Sequence, residues 1–368
     1  MRFPISMLIG AVVFLAGFPG PARAQEGKGG PAVIAYYADS PTAMDSFQIS
    51  KVTHIIFSFC HLQGNQLAVG NARDSLTIKR LVEKKQENPG LHVLLSMGGW
   101  GGCRDCSAVF STREGRKEFA RSVRSLLDYF QADGIDLDWE YPAIAGFPGH
   151  QFLPEDRANF TTLVRDLRRK LGHHKLISFA AGGFTEYLEK SVDWKRVMRQ
   201  VNFVNLMTYD LVGGYSTVTG HHTPLYSTNA EKESADHAVT LLTSRGVSPA
   251  KIALGAAFYG RVFDSVPDIN HGLYQSARFK AYVPSKFFPD LLSPEKGFIQ
   301  YWDDQAQAPF SYDSATGTFA TYENARSIAL KTKYVMDKKL FGIMFWQLTE
   351  DRLPGVLLDA IDEARKAR

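Results

Sequence analysis

The chain has 368 residues, 45% of them hydrophobic and 22% charged, and a formal net charge of +4. That length allows one large domain or two ordinary ones, with an ordinary globular composition. The charges are mixed and form no basic block, which removes the electrostatic case for binding nucleic acid.

The first segment, "MRFPISMLIGAVVFLAGFPGPARA", has a basic start at Arg2, an apolar run from Met7 to Phe18 and the small-x-small pattern Ala22-Arg23-Ala24. This is the pattern of a signal peptide, residues 1–24, cleaved near Ala24. The apolar run falls short of the roughly 20 residues that a spanning helix needs. The mature chain, 25–368, is therefore expected to be exported, secreted to the cell exterior or periplasm, with no membrane span after cleavage. It is expected to be a monomer.

Eight short apolar, β-rich runs follow: 32–37, 52–59, 92–99, 134–140, 175–183, 202–210, 251–260 and 340–348. Their near-continuous hydrophobicity fits parallel strands buried on both faces. Amphipathic segments separate them. In "EGRKEFARSVRSLLDYFQ" (114–131) the residues Phe119, Val123, Leu126, Leu127 and Phe130 fall on one stripe,. The segment 155–172 repeats the pattern and stops at Gly172, a C-cap residue. Segments 228–246 and 322–339 also read as helices. Eight strands alternating with helices predict an α/β fold, a (β/α)8 TIM barrel. A doubly wound sheet is the alternative, but no Gly-x-Gly-x-x-Gly turn follows the first strand.

The interval between the seventh and eighth runs is too long for one crossover. Its aromatic, turn-rich stretch predicts a small α+β insertion at 263–321, between strand 7 and helix 7. The three cysteines, Cys60, Cys103 and Cys106, cannot all pair internally. One disulfide is expected, either within Cys103/Cys106 or from one of them to Cys60. The pair His221-His222 reads as a solvated loop.

In a barrel the working face lies at the C-terminal ends of the strands. Tyr36, Ser96, Trp100, Met207, Tyr209, Asp210, Tyr259, Arg261 and Trp346 all fall there. Aromatic faces beside carboxylates suit a carbohydrate. The fourth run, "DGIDLDWE", puts Asp136, Asp138 and Glu140 on one strand face. Like charges so close cannot all ionise, so at least one is held protonated and becomes a general acid. Glu140 has the longest reach and lies nearest the rim. Glycoside hydrolysis usually needs a second carboxylate across the sugar ring, which one strand face cannot supply. The attacking group is then a held water or a group on the substrate, such as an N-acetyl carbonyl. A divalent-metal role for the acids is disfavoured, since no histidines cluster near them in sequence. Trp139, pointing the other way, reads as core.

These residues resemble a known family. "DGIDLDWE" is similar to the Asp-x-x-Asp-x-Asp-x-Glu signature of family-18 glycoside hydrolases, the chitinases and their relatives. "SMGGW", "MTYD", "FYGR", Trp346 and "YWDDQAQAPFSY" match that family in order. The resemblance implies a retaining hydrolase of β-1,4 bonds in chitin or chito-oligosaccharides that uses no metal or cofactor. Glu140 would be the acid and base. Asp138 would orient the acetamido group and Asp136 would share its proton, with Tyr36 and Ser96 beneath. Asp133 would be structural. Tyr209 would donate to the acetamido oxygen, with Met207 and Asp210 lining the pocket. Trp346 would floor the sugar that is split. Trp100 and Tyr215 would be platforms on the leaving side, Tyr215 standing where many relatives carry Trp. Tyr259 and Arg261 would contact further sugar groups. The same resemblance admits an endo-β-N-acetylglucosaminidase acting on glycans or peptidoglycan, or a silent chitin-binding lectin. Lectin relatives commonly lack the acid that Glu140 supplies.

Overall fold

The computed structural model describes residues 30–353 and 355–367. The expected signal peptide lies outside the described residues. Eight parallel strands form the centre: β1 (Ala32–Tyr37), β2 (His54–Gln63), β3 (His92–Gly98), β4 (Gly134–Asp138), β5 (Leu176–Gly182), β6 (Phe203–Met207), β7 (Ile252–Ala257) and β8 (Gly342–Trp346). Each pairs with its neighbour in sequence, and β1 pairs with both β2 and β8, so the sheet closes into the expected barrel. Closure excludes the doubly wound alternative.

The apolar runs arise because both strand faces are buried. Along β1, Val33, Ala35 and Tyr37 pack outward on the helices, while Ile34 and Tyr36 point into the barrel. In β4 the same alternation sends Ile135 and Leu137, then Trp139 beyond the strand, to the outer core. It leaves Asp136 and Asp138 facing inward.

Four of the surrounding helices show how local sequence sets their limits. The helix Arg113–Phe130 starts at Thr112, whose side chain accepts from Gly115 N–H, and buries Phe119, Val123, Leu127 and Phe130. Asp156–Leu171 ends at Gly172 as predicted. Two helices begin later than periodicity suggests. Ala235–Ser244 starts after Ser234 and Ala325–Asp337 after Asn324, because those side chains accept from the third helical N–H,. Among the described residues no helix is long and apolar enough to cross a membrane.

The insertion after β7 carries a five-stranded antiparallel sheet, in the order Arg278–Pro284, Tyr259–Asp264, Thr318–Thr321, Ala308–Asp313, Ile299–Asp303. Its first strand begins at Tyr259, four residues before the predicted boundary. Tyr259 and Arg261 therefore stand on the small sheet and not on the barrel strand.

His221 and His222 are not solvated: both side chains are fully buried. His221 Nε2 lies 3.0 Å from Asp303 Oδ2, and the His222 ring lies 5.3 Å from that of Tyr259. They anchor the loop after β6 to the insertion. Cys103 and Cys106 form the disulfide and Cys60 is a buried free thiol.

Candidate active site

The lowest layer of the site follows from strand register. Ser96 on β3 pairs with Asp136 on β4, and Asp136 with Ser178 on β5, so all three side chains meet at one level inside the barrel. Asp136 Oδ2 accepts from Tyr36 Oη at 3.0 Å and Ser96 Oγ at 2.8 Å. Its Oδ1 accepts from Ser178 Oγ at 2.6 Å and Asn205 Nδ2 at 3.2 Å. Burial raises the Asp136 carboxyl above its ordinary range and these four donors oppose the shift,.

Asp138 lies one layer higher and is 4% exposed. Its Oδ1 is buried without a hydrogen-bond partner among the described residues. Burial, then the charges of Glu140 and Asp136, raise its carboxyl well above the usual range. Glu140 follows just beyond the strand and remains 9% exposed. Burial pushes its carboxyl up to about 7, against a hydrogen bond from Tyr141 and with added repulsion from Asp210. The three acids thus form a column that grades from a saturated carboxylate to an open proton donor. Asp133 stands apart at the base, accepting from Val93 N–H at 2.7 Å and paired with Lys85 at 2.5 Å. Its place is structural.

The glycines of "SMGGW" allow β3 to lie against this column. Gly98 has φ +114°, and a Cβ there would sit 2.1 Å from the Asp138 carbonyl oxygen. Gly99 N–H donates to that same oxygen at 2.8 Å.

Above the acids opens a cleft of about 670 Å³. Of the residues expected from the sequence, Tyr36, Trp100, Asp138, Glu140, Met207, Tyr209, Asp210, Tyr215, Tyr259, Arg261 and Trp346 line it. Ser96 and Asp136 lie fully buried beneath. The Trp346 ring stacks on Phe59 at 5.6 Å and 13°. Trp100 and Tyr215, 46% and 71% exposed, stand 6.2 Å apart at the mouth. The Tyr209 hydroxyl makes only a weak contact with Met344 Sδ, at 3.8 Å, which leaves it able to donate to a ligand.

Arg261 has a second role in the wall of the cleft. Its Nε and Nη2 hold Asp210 bidentately at 2.6 and 2.7 Å. Although burial opposes it, the nearby His222 and Arg261 side chains hold the Asp210 carboxyl well below the usual range. The guanidinium also lies over the rings of Tyr259 and Tyr282, at 5.1 Å from each,. Arg261 thus builds this wall as well as lining the cleft.

Sequence reasoning missed Ser178 and Asn205 below the acids, and Tyr141, Phe279 and Tyr282 along the cleft. The first two carried a signal: each is a polar residue at an inward position of an apolar strand.

A family model described as glycosyl hydrolases family 18 matches residues 32–351. Chitinase A1 of Niallia circulans is 33% identical over 299 residues, covering 75% of this chain and 43% of that protein. The chain thus spans less than half the length of that relative. Chitinase B of Serratia marcescens is 28% identical over 405 aligned positions, 89% of this chain and 81% of the relative. Among solved structures, a family 18 N-acetylglucosaminidase from Paenibacillus barengoltzii matches with a TM-score of 0.83 at 36% identity. It covers 91% of this chain and 99% of that one. The family match runs from the first barrel strand to the turn beyond the last, and takes in the insertion. The chain belongs to glycoside hydrolase family 18.

Proposed function

We propose that this protein is a secreted chitinase that cleaves β-1,4 bonds between N-acetylglucosamine units with retention of configuration. The observation that carries the reading is the acid column. The Glu140 carboxyl, pushed up to about 7, stands at the cleft floor above an Asp138 oxygen that is buried and unpartnered among the described residues. The carboxylate on the facing wall, Asp210, is bound through both oxygens to Arg261. It is ill suited to attack, which leaves the substrate's own acetamide as nucleophile.

Glu140 gives its proton to the glycosidic oxygen as the C1–O bond breaks, and the acetamido carbonyl oxygen bonds to C1. Asp138 accepts the acetamido N–H and balances the positive charge that forms. Asp136, saturated by its four donors, keeps Asp138 oriented. Water then attacks C1, the bond between C1 and the acetamido oxygen breaks to restore the amide, and Glu140 takes the water's proton. Tyr209 donates to the acetamido oxygen and Trp346 stacks beneath the reacting sugar. The chemistry needs no cofactor. The leader-like residues 1–24 support secretion.

A second reading, an N-acetylglucosaminidase that releases single sugars or acts on other glycans, is favoured by the near full-length match to the Paenibacillus barengoltzii enzyme. Product analysis on N-acetylglucosamine hexamer, with the anomer followed by NMR, separates the two. Dimers and longer fragments as the β-anomer support the chitinase. Monomer from the first turnovers supports the second reading, and α-anomer would exclude the assisted route. Binding without turnover would make the protein a lectin.

A further inference from the structure

Beyond β8 the chain makes a short helical turn, Leu348–Glu350, that grips the insertion at three points. The Tyr282 hydroxyl donates to Glu350 Oε2. Ser285 Oγ donates to the Glu350 carbonyl at 2.8 Å, and Lys286 Nζ to the Thr349 carbonyl at 3.0 Å. The last two bonds use backbone oxygens, which any residue at these positions would provide. The Glu350 side chain instead meets Tyr282 and, at 3.5 Å, Gln347 Nε2.

Tyr282 lines the cleft. Its ring stacks on Tyr259 at 4.5 Å and 20°, under the Arg261 guanidinium that clamps Asp210. The Trp346 side chain faces the same Tyr282 hydroxyl. The tyrosine is therefore the point where the insertion wall, the Arg261–Asp210 clamp and the sugar floor meet. Its hydroxyl is fixed by one carboxyl delivered from the barrel. Burial pushes that carboxyl up to about 7, against the bonds from Tyr282 and Gln347.

We propose that Glu350 is a positioning residue: its side chain latches Tyr282 to the barrel and so sets the wall formed by Tyr259, Arg261 and Asp210 against the substrate. The proposal rests on the reading of the cleft as an N-acetylglucosamine site. It concerns ground-state alignment of the wall, so the effect falls on KM more than on kcat.

The test compares wild type with Glu350→Ala, Glu350→Gln and Tyr282→Phe, using a fluorogenic chitobioside and hydrogen–deuterium exchange across 278–286. Glu350→Ala and Tyr282→Phe should raise KM about tenfold, with kcat changed less than about threefold. Exchange in 278–286 should quicken in both, at an unchanged Tm. Glu350→Gln keeps an oxygen for the Tyr282 hydroxyl and should stay within about threefold of wild type in KM. Wild-type KM and exchange in Glu350→Ala would overturn the proposal. So would equal losses in the Ala and Gln variants alongside a fall in Tm, which would mark a merely structural residue. If wild type does not cleave the chitobioside, the functional reading fails, and the exchange comparison still decides whether the latch exists.

Discussion

Glu140 is a carboxyl displaced from its ordinary 4.5 to about 7, and the displacement fixes what its substitution should do. Glu140→Gln keeps the shape but removes the proton, so turnover of a fluorogenic chito-oligosaccharide should fall by about 10²–10⁴-fold or more, with substrate still bound. Residual activity above a tenth of wild type would sink the assignment. Since the acid works protonated, kcat/KM of the wild type should fall as pH rises through about 7, and that limb should vanish in the variant,. The native state also binds this proton more tightly than the unfolded chain does. Glu140 therefore costs stability as pH climbs from 4.5 towards 7,. The acids were legible in the sequence because three charges in an apolar strand have no packing explanation. Ser178 and Asn205 were not singled out, since a lone serine or asparagine in a strand is common. Only the register beside Asp136 shows that they close its hydrogen bonds.

At the level of elements, the end of β3 is the least tolerant segment. Gly98→Ala places a Cβ 2.1 Å from the Asp138 carbonyl at φ +114°. It combines backbone strain with overpacking, about 2 kcal/mol or more together. Gly246→Ala is the control, because Gly246 has φ +83° and nothing within 4 Å of the added carbon. Calorimetry should show a clearly larger Tm loss for Gly98→Ala, with activity reduced because Asp138 moves. Equal losses in the two variants would show that the close approach is relieved elsewhere. Strand and helix types could be read from periodicity, whereas two boundaries could not. "AAFYGR" stays apolar through the turn at Phe258, so nothing local marks where the barrel ends and the small sheet begins. His221 meets Asp303, 82 residues away, and His222 packs on Tyr259 of the insertion, contacts that no local composition reveals.

The described residues form a closed barrel with an inserted sheet, and the barrel's helices hide the outward strand residues while its inward residues become polar towards the rim. This gradient explains how a single chain gives both a robust frame and a site of repelling charges. The frame supplies the packing that holds Asp136 and Asp138 in a place they would otherwise leave. The fold class and most of the cleft lining could be read from the sequence, because closure needs apolar strands and the chemistry needs exceptions to them. The insertion's role in building the Arg261–Asp210 wall could not, since it depends on which strands pair after the chain leaves the barrel.

The cysteine pattern has a practical result. Cys103 and Cys106 are already joined, and Cys60 lies on β2 with none of its surface open and its thiol pushed up to about 12 by burial. A thiol reagent should therefore find nothing to alkylate in native protein and one sulfur per chain once the frame opens. Its reaction rate should keep pace with the loss of circular dichroism in rising urea. Immediate labelling in buffer would mean that the staves around β2 part far more readily than their packing suggests. Otherwise that one hidden sulfur times the opening of the barrel, with no cysteine added to the chain.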